Sequence, residues 1–124
     1  MVARQKKKGA GEGNRIFYLT LSGEGHIKFV NNSEETLDKV FDVSSSGFGG
    51  PFDPHPKIYR NVQPGKSVVI NKFDWMYDPY EDCEWGVTLT SPKLGTLTLK
   101  SKQKKGGEPE ATLLSKHDYI RLLG

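Results

Sequence analysis

The segment 85–99 limits the fold more than any other part of the chain. Trp85, Val87 and Leu89 alternate with Gly86, Thr88 and Thr90, and Leu97 and Leu99 alternate with Thr96 and Thr98. Ser91-Pro92-Lys93 separates the two runs. Period-two alternation puts the apolar groups on one face of an extended chain and the threonines on the other, and two such runs around a turn read as a β-hairpin. A helix would scatter the same side chains around its axis.

Shorter runs of the same kind fill the remainder. Ile16–Leu21 stops at Ser22-Gly23-Glu24-Gly25, and His26–Val30 alternates Ile27 and Phe29 against Lys28 before Asn31-Asn32-Ser33. From Leu37 to Val43, Leu37, Lys39, Phe41 and Val43 share one face and Asp38, Val40 and Asp42 the other, so Phe41 and Val43 are expected inside. Ser44–Pro56 is a loop, with Pro51, Pro54 and Pro56 too close for a central strand. Gln63-Pro64-Gly65-Lys66 has proline and glycine where a type II turn needs them, ahead of a β-branched strand from Ser67 to Phe73.

Turn signals about every 8–12 residues predict an all-β domain, an antiparallel β-sandwich of about seven strands, with a small β-barrel as the alternative. The Asn-Ser turn and the Pro-Gly before Val68-Val69-Ile70 resemble many immunoglobulin-like sandwiches, a likeness of architecture. At the end of the chain, Ser115 with Asp118 three residues on opens a short C-terminal helix, while Leu113, Ser115 and His117 would instead continue a final strand.

The 124 residues suit one domain, read as a disordered basic tail over 1–14 and a sandwich over 15–124. No apolar run reaches the roughly 18 residues of a membrane span. The basic start runs into Gly-Ala-Gly-Glu-Gly rather than an apolar stretch, so no secretory signal is expected. A single cysteine, Cys83, leaves no disulfide framework or cysteine-built zinc site, and a reducing cytoplasm is the expected location.

Catalytic chemistry finds little support. His26, His55 and His117 are far apart, and Cys83 lies among Glu81, Asp82 and Glu84, whose charge disfavours a thiolate. Neither Ser44-Ser45-Ser46-Gly47 nor the glycines at 9, 11 and 13 stand in a nucleophile or phosphate-loop context. No enzyme activity, cofactor or metal is predicted. The 73–85 stretch instead concentrates aromatic residues beside carboxylates. Trp75, Tyr77 and Tyr80 with Asp74, Asp78, Glu81 and Asp82 form an aromatic, acidic loop suited to a cationic group, a peptide or a sugar. The expectation is a non-enzymatic binding module for another protein or an extended ligand, helped by the proline-rich loop 47–56. Calcium is a weaker reading, because Asp74, Asp78, Glu81 and Asp82 lack EF-hand spacing.

Charge supplies the alternative. Residues 1–15 carry +4 through Arg4, Lys6, Lys7, Lys8 and Arg15 against Glu12, and Lys100, Lys102, Lys104 and Lys105 carry a further +4. Since the whole chain is only +3, the remainder is acidic at −5. The two basic stretches, read as a tail and a 100–105 loop, suit salt-sensitive binding of nucleic acid.

Overall fold

The computed structural model describes residues 14–46, 51–75, 78, 82–103 and 106–124. The tail reading over 1–13 therefore lies outside the described residues, as do Tyr77, Tyr80, Glu81, Lys104 and Lys105.

Eight strands and one helix follow in order: β1 Arg15–Leu21, β2 His26–Asn31, β3 Leu37–Asp42, β4 Tyr59–Val62, β5 Ser67–Lys72, β6 Glu84–Ser91, β7 Gly95–Lys102, β8 Ala111–Ser115 and α1 Lys116–Leu123. They form two antiparallel four-stranded sheets, β5-β2-β1-β8 and β4-β3-β6-β7, packed as a sandwich and not closed into a barrel. The expected 85–99 hairpin forms, with Val87 opposite Leu99 and Leu89 opposite Leu97. On its outer face Thr88 pairs with Thr98 at 2.8 Å and Thr90 with Thr96 at 3.2 Å through their hydroxyls. Gly65, at φ +80°, completes the turn closed by the Lys66 amide on the Gln63 carbonyl.

Phe17, Leu19, Ile27 and Phe29 of one sheet face Val40, Trp85, Val87 and Leu89 of the other in a common core. Ile16 and Phe17 are both buried although adjacent, because irregular pairing of β1 with β8 turns consecutive side chains inward. Leu37 is buried as expected, but from Val40 onward strand β3 faces the opposite way from the sequence expectation. Val40 and Asp42 are buried, whereas Phe41 and Val43 are half-buried and lie outside the core cluster. The inward Asp42 is tolerated because its carboxylate accepts the Ser44 amide and hydroxyl and the Asn71 side-chain amide. Hydropathy alternation cannot register that compensation.

The C-terminal segment is both strand and helix. β8 pairs with β1, and α1 begins directly after it, capped by Ser115 Oγ accepting the Asp118 amide at 3.1 Å. Asn31, the acceptor position of an Asn-Asn-Ser sequon, is fully buried. Its amide nitrogen donates to the Glu35 and Val62 carbonyls, and its oxygen accepts from Ser33.

Candidate functional site

The connections β1–β2, β3–β4, β5–β6 and β7–β8 meet at one end of the sandwich. There the Phe73 amide donates to Gly25, Ser45 pairs with Glu84, and the Gln103 amide donates to Cys83. Aromatic side chains form a row from the core to the surface. Phe52 stacks on Trp85 at 5.0 Å, Trp85 meets Phe73 at 6.0 Å, and Phe73 meets Trp75 edge to face at 5.0 Å. Trp85 is 1% exposed and Trp75 is 49% exposed.

Trp75 stands at the rim of an open cleft of about 530 Å³ lined by Glu24, Lys72, Phe73, Asp74 and Trp75. A Cβ on Gly25 would lie 3.5 Å from the Trp75 indole nitrogen and 3.0 Å from the Phe73 carbonyl, so this turn closes tightly behind the ring. Gly25 itself, at φ +86°, has a backbone conformation that favours glycine. Among the described residues, two carboxylates and one ammonium therefore border a half-exposed indole held from behind.

The predicted site residues divide. Asp74 and Trp75 are brought together at the cleft, and Asp82 is exposed farther along the same loop. Asp78 is buried at 8% exposure and works within the loop. Its carboxylate accepts the Asp74 amide at 2.7 Å, while its own amide donates to the Asp74 carbonyl at 2.8 Å. Burial raises the Asp78 carboxyl above its ordinary value; the Asp74 amide opposes this, and the neighbouring Asp74 charge adds to it. Gln103, within the stretch read from sequence as the basic 100–105 loop, proves to be the anchor. It is buried, accepts the Trp85 indole N–H at 2.7 Å and donates to the Asp78 carbonyl at 2.8 Å. Only the fold aligns residues 78, 85 and 103, so the sequence carries no signal for this network.

Among the described residues, no three His, Cys, Asp or Glu side chains converge to hold a metal ion. Cys83 is fully buried, with Sγ 3.8 Å from the Asp78 carbonyl. The Ser44 hydroxyl is taken up by Asp42 and by the Gly86 amide.

The basic candidates are also partly relocated. Lys100 and Lys102 lie within β7 rather than in a 100–105 loop, and both are exposed. Arg15 begins β1 and holds its guanidinium 3.9 Å above the centre of the Tyr18 ring. No described helix is long and apolar enough to cross a membrane. No family model matches the chain, and neither curated proteins nor solved structures yield a match.

Proposed function

We propose that the protein is a non-enzymatic binding module that recognises another protein or an extended ligand through this loop end, with Trp75 as its anchor. The observation that carries the reading is a tryptophan half in solvent yet fixed edge-on against buried Phe73, at the rim of a cleft. Rigid exposed indoles supply large contact area at low entropic cost and are enriched at interface hot spots. Enclosure of Cys83 and engagement of Ser44 fit a role without covalent chemistry, and a single buried cysteine fits a reducing cytoplasm. An immunoglobulin-like affinity is supported by β1, β2 and β5 sharing one sheet and β3, β6 and β7 the other; β4 and β8 depart from the constant-domain arrangement.

The test is cross-linking capture from cell extract with wild type and Trp75→Ala, with circular dichroism as the folding control. Partners lost from the variant support the reading, and an unchanged set refutes it. Nucleic-acid binding is the second reading, favoured by Lys100 and Lys102 alternating on the solvent side of β7. An amide-resolved NMR titration with short DNA and RNA, at low and near-physiological salt, separates the two. Shifts persisting at Lys100 and Lys102 at the higher salt would promote nucleic acid to first place.

A further inference from the structure

We propose that the cleft beside Trp75 receives an arginine side chain of the partner protein, the guanidinium lying on the indole and pairing with the Asp74 and Glu24 carboxylates. This rests on the loop-end reading above and names the chemistry that the site selects.

Three features support it. Among the described residues of its lining, the Glu24 and Asp74 carboxylates outnumber the Lys72 ammonium, which attracts a cation. Its aromatic wall selects among cations. A guanidinium is planar and weakly hydrated, so it stacks on an indole and still offers a fork of N–H donors to a carboxylate, whereas an ammonium must shed a tight hydration shell. The volume of about 530 Å³ accommodates the aliphatic stem as well as the charged head. The chain makes the same kind of pair internally, where Arg15 lies over Tyr18. Trp75 is also preorganised, because Phe73 and the Gly25 turn hold it before any partner arrives. Lys72 on the cleft wall opposes the incoming charge, so its removal should strengthen binding.

The probes are the blocked peptides Gly-Arg-Gly, Gly-Lys-Gly and Gly-citrulline-Gly, titrated into the full chain labelled with nitrogen-15 while the Trp75 indole N–H is followed. The expected result is a saturable shift with the arginine peptide and binding about tenfold weaker for citrulline, its neutral isostere. Asp74→Asn should weaken the arginine peptide by about tenfold, and Lys72→Met should tighten it severalfold. Trp75→Ala should abolish the response at the Lys72 and Phe73 amides while the Trp85 indole signal, which reports the fold, stays in place. An absent response, equal binding of arginine and citrulline, or lysine binding as tightly as arginine each overturns the assignment. If the arginine peptide is silent while Trp75→Ala still loses its captured partner, only the guanidinium assignment falls. If Trp75→Ala captures everything the wild type does, the loop-end reading falls with it.

Discussion

Replacing Glu35 tests how the end of the sandwich opposite the cleft is held. Its buried carboxylate joins three segments distant in sequence. Oε1 accepts the Ser91 hydroxyl at 2.7 Å and the Lys93 amide at 3.0 Å, and Oε2 accepts the Tyr119 hydroxyl of α1 at 2.6 Å. Glu35→Ala strips the acceptor from the Ser91 and Tyr119 hydroxyls and leaves the Lys93 amide only the Ser91 Oγ at 3.2 Å. Ser91 is 2% exposed, so its orphaned hydroxyl costs about 2 kcal/mol, while Lys93 and Tyr119 can turn to water at about 0.5–1 kcal/mol each. Release of the carboxylate's own desolvation offsets part of this, leaving about 3 kcal/mol. In a chain of this size that lowers Tm by about 12 °C. Glu35→Gln keeps one oxygen for Ser91 and Lys93 and presents an amide that the Tyr119 oxygen can accept, so it should cost about 1 kcal/mol.

Urea denaturation at neutral pH, followed by tryptophan fluorescence, measures both variants. The acid limb supplies a second readout. Burial pushes the Glu35 carboxyl up, but hydrogen bonds from Tyr119, Ser91 and Lys93 and the Lys93 charge outweigh it and hold the group below its ordinary 4.5. Its contribution to stability is therefore full above pH 4.5 and lost as pH falls through the lower folded value, a loss that Glu35→Gln should not show. Equal costs for the alanine and glutamine variants, or less than about 1 kcal/mol for alanine, would refute the hub argument.

Four further outcomes follow from the same structure. Burial and the Glu35 hydrogen bond push the Tyr119 hydroxyl up to about 12 from its ordinary 10.0; its contribution is intact below pH 10.0 and lost as pH rises through about 12, which the absorbance titration and helical circular dichroism should track together. Gln103→Leu orphans the Trp85 indole N–H and leaves the Asp78 carbonyl only the weak Cys83 thiol donor, and should cost about 2–3 kcal/mol in chemical denaturation. Gly86→Ala would drive a methyl group into the Leu99 carbonyl and the Lys100 backbone, costing about 1–3 kcal/mol and disturbing β7 amide exchange. Asp42 and Asp78 are raised by burial against their hydrogen bonds, so each adds stability at low pH that is lost as pH rises through its folded value; Asp42→Asn should remove that share from the pH–stability curve.

The all-β class, the 85–99 hairpin and the turn at 63–66 were legible in the sequence, and the Ser115 cap was one of its two readings of the C-terminus, because each depends on alternation or turn chemistry among neighbouring residues. The sequence also singled out the aromatic, acidic loop to which Trp75 and Asp74 belong, since its composition stands out without any fold. Tertiary structure alone decided the facing of β3, where Asp42 goes inward because Ser44 and a distant Asn71 satisfy it. The same holds for Asp78, which sequence reads as an exposed acid and the fold turns into a buried brace beneath Gln103. Glu35 shows the reason most clearly: its partners lie 56, 58 and 84 residues away. Local pattern records which groups are apolar, whereas the burial of a polar group depends on donors that only the folded chain brings within reach.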